Sequence, residues 1–111
     1  MSLINPYVMP GIASSVNKKE IIKQAVCDFF KIEFDEMFKN RNDRHPEWVR
    51  PRQFIMYFMK ENGYTLRECG NVFNKDHTTV CSAYKCISAW ILNDKEIKNQ
   101  HIAILNKINQ I

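Results

Sequence analysis

The feature that most constrains the fold of this chain is the segment 65–87, which reads TLRECGNVFNKDHTTVCSAYKCI. Thr65 with Glu68 three residues later is typical of a capping box, so a helix is predicted to begin there. The sequence NKD at 74–76 then interrupts the apolar periodicity with residues that favour turns. Asp76 is a suitable N-cap for a second helix. The segment therefore predicts two short helices joined by a tight polar turn.

This order of elements is the layout of a helix-turn-helix, which places the start of its second helix in the major groove of DNA. The first turn of that helix would carry His77, Thr78 and Thr79. Threonine can bond a base edge and contact a thymine methyl group, and an aspartate at the cap can accept from a cytosine amino group. Thr78, Ser82 and Lys85 share an outer helix face, which makes Ser82 and Lys85 candidates for backbone contacts.

The basic residues are unevenly distributed along the chain. A formal net charge of +4 over 111 residues is only a mild indication of nucleic-acid binding. The segment 39–52, KNRNDRHPEWVRPR, in contrast holds five cations and two acidic residues. Its prolines predict a loop from 40 to 51, with Pro51 as the first residue of the next helix. The candidates for phosphate or minor-groove contacts are Arg41, Arg44, Arg50, Arg52 and Lys75.

Each of these features also has an ordinary structural explanation. Asp76 and His77 can simply cap a helix, and a threonine pair or a basic loop is commonly a solvated surface. Arg50 and Arg52 can pair with nearby acidic side chains, at about 0–1 kcal/mol for a surface pair. The convergence of all these features on one small region favours the functional interpretation.

Other classes of protein fit the sequence poorly. With three glycines in the whole chain there is no glycine-rich phosphate loop. A Cys81–His77 pair lacks an orienting group and an oxyanion hole, so we expect no enzyme and no catalytic residue. The four cysteines lack the paired spacing of a zinc site and are expected to be reduced thiols. We expect no metal, no cofactor, no small-molecule substrate, no membrane span and a cytoplasmic location.

The remaining periodicity predicts an all-α fold, a compact bundle of five to six helices. Residues 1–14 are expected to be an extended or disordered arm, because prolines and a glycine oppose helix there, and 15–111 to be the helix-turn-helix domain. The first helix would open at Asn17, and a short one would follow at 35–39. A central apolar helix is predicted at 51–62, and a last helix after Asp94.

The run KDHTTV at 75–80 resembles the signature of the C-terminal DNA-binding domain of the bacterial chromosomal replication initiators, the DnaA family. TLRECG at 65–70, RPRQ at 50–53 and AVCDFFKI at 25–32 extend this resemblance, which covers roughly 16–111. It implies a compact helical domain with a helix-turn-helix of the Trp-repressor type. Such a domain binds short asymmetric boxes in double-stranded DNA, as a monomer and in association with the nucleoid.

The resemblance also implies roles for single residues. Asp76, His77, Thr78 and Thr79 would read bases in the major groove, and either Arg41 or Arg44 would enter the minor groove. The residues implied at the sugar-phosphate backbone are Arg52, Gln53, Leu66, Arg67 and Lys75.

The chain also departs from the family pattern. Asn74 stands where a glycine is usual, Arg67 replaces a common proline, and Cys86 replaces a basic residue. An ATP-binding domain of the full initiators has no counterpart in this sequence, which leaves two alternatives, a fragment or a stand-alone small protein. The alternative function is a helical protein-interaction module that kept the scaffold and lost specific DNA reading.

Overall fold

The structure is a computed structural model that describes residues 10–109, with side chains from Lys18 onwards. This part of the chain forms helices without any strand, as the all-α prediction requires. Among the described helices, none is both long and apolar enough to cross a membrane. The helices are α1 (Pro10–Phe30), α2 (Phe34–Lys39), α3 (Pro46–Glu61), α4 (Leu66–Asn71), α5 (His77–Asn93) and α6 (Lys95–Asn109).

The helix α3 lies at the centre of the bundle, as its apolar sequence predicts. It contacts α1, α4 and α5. The side chains from Phe54 to Met59 are all buried, so this helix is covered on most of its sides. Removing so much apolar surface from water is the main stabilising term for a domain of this size. The helices α1, α4 and α5 are therefore positioned by how they pack on α3.

Two predicted helix starts are wrong, and proline is the reason in both cases. The helix α1 begins at Pro10 rather than Asn17, so residues 10–14 are helical, while 1–9 lie outside the described residues. The helix α3 begins at Pro46, and Pro51 lies inside it. A proline is well tolerated in the first turn of a helix because the N–H that it lacks has no helical partner there. Pro51 is buried in the bundle, where tertiary packing offsets its lost hydrogen bond.

The start of α6 follows the predicted signal. Asp94 accepts hydrogen bonds from the N–H groups of Glu96 (2.9 Å) and Ile97 (3.2 Å), which caps the start of α6. On α6, the His101 ring stacks on Phe58 with their centroids 5.3 Å apart. Burial lowers the pKa of His101, so the packed ring favours its neutral form. The inward-facing isoleucines of α6 are buried, so one side of this last helix is part of the core.

Candidate nucleic-acid interface

The first helix of the motif is fixed by the capping box that the sequence predicts. The Thr65 hydroxyl accepts from the N–H of Glu68 at 3.1 Å, and the Glu68 carboxylate accepts from the N–H of Thr65 at 2.9 Å. These bonds hold the pKa of Glu68 below its usual value, because they favour the charged carboxylate. The start of α4 is therefore well defined, and it exposes Arg67 beside the half-buried Leu66.

The turn after α4 folds back over that helix at Gly70. The Gly70 carbonyl accepts from the N–H groups of Phe73 (3.1 Å) and Lys75 (2.9 Å). A Cβ at Gly70 would lie only 2.3 Å from the Lys75 carbonyl oxygen, so glycine is needed at this close approach. Asn74 takes a left-handed conformation with φ of 54°, which asparagine tolerates better than most residues. The turn thus forms without the glycine usual at 74.

The start of α5 exposes all four predicted base-reading residues. The carboxylate oxygen Oδ1 of Asp76 accepts from the Thr79 N–H at 3.0 Å and from the Thr79 hydroxyl at 3.2 Å. These hydrogen bonds lower the pKa of Asp76, with the backbone N–H of Thr79 as the largest cause. Asp76 and Thr79 therefore hold each other in the cap, and His77 and Thr78 project beside them.

Arg52 lies in a different environment from the exposed phosphate contact that the sequence suggested. Its side chain is 9% exposed. Its two terminal nitrogens donate to the carbonyl oxygens of Asn40 and Asp43, each at 2.9 Å. Burial lowers the pKa of Arg52, and the neighbouring Asp43 opposes this effect. Arg52 thus holds residues 40–45, which we call the basic loop, against α3.

A second contact closes the basic loop where α3 begins. The carboxylate of Asp43 accepts from the N–H of His45 at 2.8 Å and lies 2.6 Å from its Nδ1. This contact raises the pKa of His45 and lowers that of Asp43, since each charge favours the other. His45 is exposed, so its protonation adds a cation to the loop surface.

The basic loop lies directly beside the turn of the helix-turn-helix. The Lys75 ammonium donates to the side-chain oxygen of Asn42 in the loop. The pKa of Lys75 is lowered by burial first, and then by the positive charges of Arg52, Arg41 and Arg44. Arg41 is held against the end of α2, with its guanidinium 4.3 Å from the Phe38 ring centre. The fold therefore brings four cations together next to the first turn of α5.

The other predicted contacts lie in three places. The Arg50 guanidinium stacks 4.3 Å from the Trp90 ring centre, and Trp90 is about 20 Å along α5 from its first residue. Arg50 therefore faces away from the cation cluster. Gln53 is half-buried on α3, whereas Ser82 and Lys85 are exposed on α5.

Asn42 is the residue of this site that sequence reasoning missed. An asparagine between two arginines gives no signal that its partner, Lys75, lies 33 residues further along the chain.

The described side chains offer no evident metal site. They contain no group of three or more histidine, cysteine, aspartate or glutamate side chains that could hold an ion. Burial raises the pKa of Cys27 and of Cys69 to about 11, so both thiols stay protonated at neutral pH and are poor ligands and nucleophiles. Cys86, in place of a basic residue, is half-buried.

Comparison with known proteins gives one consistent result. A family model described as "Bacterial dnaA protein helix-turn-helix" matches residues 19–87. A chromosomal replication initiator protein DnaA of Francisella tularensis subsp. tularensis is 34% identical over 95 residues, which are 84% of this chain and 19% of that protein. The DnaA of Caldanaerobacter subterraneus subsp. tengcongensis is 35% identical over 101 residues, which are 87% of this chain and 22% of that protein. The chain spans about a fifth of the length of these curated relatives.

Proposed function

Because the chain belongs to the bacterial DnaA helix-turn-helix family, a family of DNA-binding rather than catalytic domains, we propose that it binds double-stranded DNA at specific sequences. The start of α5 enters the major groove, and the basic loop lies on the adjacent backbone with an arginine in the minor groove. The single helix-turn-helix favours binding as a monomer to an asymmetric site of the initiator type.

One geometric feature carries this proposal, namely the cation cluster at the start of α5. Lys75 bonds Asn42, which lies between Arg41 and Arg44, and Arg52 bonds the carbonyl groups of the same loop, so the four cations lie together. Like charges held together in this way destabilise one another, and a phosphate placed among them removes the repulsion. The dipole of α5 also favours an anion near the start of this helix. The site is therefore complementary to a polyanion.

The exposed groups at the start of α5 are suited to read bases. We assign base contacts to His77 and Thr78, whose side chains project from the helix start. Asp76 and Thr79 join them at the bases while holding the helix start through their mutual hydrogen bonds. Threonine and histidine each offer a donor and an acceptor within reach of base edges.

Other side chains position the domain on the sugar-phosphate backbone of DNA. We assign this role to the exposed Arg44 and to Arg67 at the start of α4, with Ser82 and Lys85 further along α5. Arg52 contributes by holding the basic loop, and we assign further backbone contacts to the half-buried Leu66 and Gln53. Such contacts fix the register of the protein on the duplex and carry no sequence information themselves.

The proposal is tested by comparing two classes of variant on two duplexes, one with an initiator-type box and one with the same bases scrambled. Thr78→Ala and His77→Ala should reduce the preference for the box, by about 1–3 kcal/mol for a good base contact. Arg44→Ala should weaken binding to both duplexes equally and reduce the slope of log K against log salt by about 0.9. Lys98→Ala, on the exposed surface of α6, is the matched control and should change neither quantity.

Two results would refute these assignments. Equal effects of Thr78→Ala and Arg44→Ala on both duplexes would show that the division between base and backbone contacts is mistaken. Failure of the unmodified chain to bind either duplex at low salt, together with specific capture of a protein partner, would favour the alternative of an interaction module.

A further inference from the structure

We propose that Asn42 is a positioning residue that joins the basic loop to the turn of the helix-turn-helix. It would thereby fix the distance between two DNA-contacting segments, the basic loop and the start of α5. This inference rests on the proposed function and adds to it a residue outside the four sequence runs that carry the family resemblance. The bond between Asn42 and Lys75 is a side-chain contact between the basic loop and the segment that leads into α5.

The backbone around Asn42 is held in place by hydrogen bonds before and after this residue. Its neighbours Asn40 and Asp43 both give their carbonyl oxygens to Arg52, and the N–H of Asp43 donates to the Asn40 carbonyl at 2.9 Å. Asn42 thus lies on a tight turn that a buried guanidinium clamps. Its side chain needs little further ordering to meet Lys75, so the entropic cost of the contact is small.

The Asn42 side chain also suits the charge around Lys75. Lys75 lies among three arginines that repel it. The amide oxygen of Asn42 is a dipolar acceptor without net charge. It can hold the ammonium group beside the arginines and leave the total positive charge of the cluster intact. A carboxylate in the same place would also hold Lys75, but it would cancel one of the charges that attract DNA.

The Asn42–Lys75 bond has a consequence for DNA binding. Arg41 and Arg44 belong to the basic loop, whereas Lys75 immediately precedes the cap of α5. With the Asn42–Lys75 bond in place, the basic loop and the start of α5 meet the duplex as one preorganised surface. Without it the loop is still clamped to α3 by Arg52 but can shift relative to the turn, and the cost of restoring their relative position during binding lowers the affinity.

The test uses a substitution that leaves the net charge unchanged, Asn42→Ala. We expect affinity for both duplexes to fall about 3- to 10-fold, as for the loss of one exposed intramolecular hydrogen bond. We also expect the salt slope to fall by up to about 2, as the two loop arginines lose their register with the phosphates. A neutral substitution that removed only a direct hydrogen bond to DNA would leave this slope unchanged. Asn99→Ala, exposed on α6, is the matched control for loss of a surface amide.

A double-mutant cycle with Lys75→Met separates the Asn42–Lys75 bond from an independent contact. If Asn42 acts through Lys75, then Asn42→Ala lowers the DNA affinity by less than about 2-fold in the Lys75→Met background. An equal cost in both backgrounds, or an unchanged salt slope, overturns this inference and leaves the proposed function standing, provided that the unmodified chain prefers the box. If the unmodified chain does not bind DNA, both are overturned. Thermal unfolding of each variant shows whether it is folded at the assay temperature.

Discussion

Replacing Gly70 with alanine should disturb the turn of the helix-turn-helix rather than the core. The new Cβ would lie 2.3 Å from the carbonyl oxygen of Lys75 and 3.2 Å from its carbonyl carbon. Both atoms belong to the backbone, so no side-chain rotation relieves the clash. Carbon and oxygen atoms need about 3.0 Å or more, so the turn must move by roughly 0.7 Å relative to α4.

The expected magnitude for stability is the balance of two terms. Forcing an extra methyl group into a packed site costs about 1–3 kcal/mol. Alanine recovers about 1 kcal/mol because it is the better helix former. We therefore expect Gly70→Ala to lower the free energy of unfolding by at most about 2 kcal/mol, or the Tm by at most roughly 15 °C for a domain of this size.

The effect on DNA binding should be larger than the loss of stability alone would cause. Lys75 leads directly into Asp76, the N-cap of α5, so moving the turn moves the helix start. Binding constellations tolerate errors of about 0.5 Å, and the required shift exceeds this limit. We expect the affinity of the folded variant for the box duplex to fall about 10-fold or more.

The matched control is Gly63→Ala. Gly63 has φ of 91° and no atom within 4 Å of an added Cβ, so alanine there is strained without any clash. It should cost about 1–2 kcal/mol of stability through the backbone conformation. Urea unfolding followed by circular dichroism gives the stability, and fluorescence anisotropy on a labelled duplex gives the affinity. If Gly70→Ala matches the unmodified chain in both assays, or if Gly63→Ala loses the same affinity, the reasoning is refuted.

Three further predictions concern Asn74, His101 and His45. Asn74→Ala should lower the free energy of unfolding by about 1 kcal/mol, because alanine fits φ of 54° less well than asparagine, and Asn74→Gly should not; equal urea midpoints for both variants would contradict this. Burial lowers the pKa of His101. The contribution of its neutral ring to the free energy of unfolding is therefore fully present above the ordinary histidine pKa, and it is lost as pH falls through the lowered pKa. The urea midpoint of His101→Phe should therefore depend less on pH below about pH 6.5 than that of the unmodified chain. An unchanged pH dependence would refute this role of His101. Asp43 raises the pKa of His45, so the pair stabilises the fold below the ordinary histidine pKa and loses this effect as pH rises through the raised value. DNA affinity should likewise increase as His45 becomes protonated, and His45→Gln should lose that part of the pH dependence, which anisotropy across pH measures.

The helix-turn-helix itself was predictable from the sequence because its signals are local. The capping pair Thr65 and Glu68 and the cap of Asp76 on Thr79 each join residues three positions apart. Interactions over such short spacings depend little on the rest of the fold. The left-handed conformation of Asn74 also follows from the residue type. This part of the chain therefore folds as its own residues specify.

The prolines misled the prediction because their effect depends on the position in a helix. Pro10 and Pro46 each begin a helix, where the missing N–H costs little. Pro51, which looked like a helix start, is instead inside α3. Its burial among the helices is a tertiary effect that no local pattern reports. The loop that the sequence extended to residue 51 is consequently only six residues long, 40–45.

The roles of the arginines and of Asn42 depended on contacts between distant residues. Arg52 bonds carbonyl groups 9 and 12 residues earlier, and Arg50 stacks on Trp90 of a different helix. Sequence reasoning could identify a basic segment but could not tell a buried structural cation from an exposed one, since both have the same composition. Only the packing of α3 against the loop and α5 separates Arg44, which is exposed, from Arg52, which holds the loop.

The most direct test of the central claim is the ratio of two dissociation constants for the unmodified chain. One is measured with a duplex carrying an initiator-type box and the other with the scrambled duplex, in the same buffer near physiological salt. Specific protein–DNA complexes are about 10³-fold or more tighter than their non-specific counterparts. We predict a clear preference for the box that persists as salt is raised, while both affinities fall together. A ratio of one at every salt concentration would contradict sequence-specific binding by this domain.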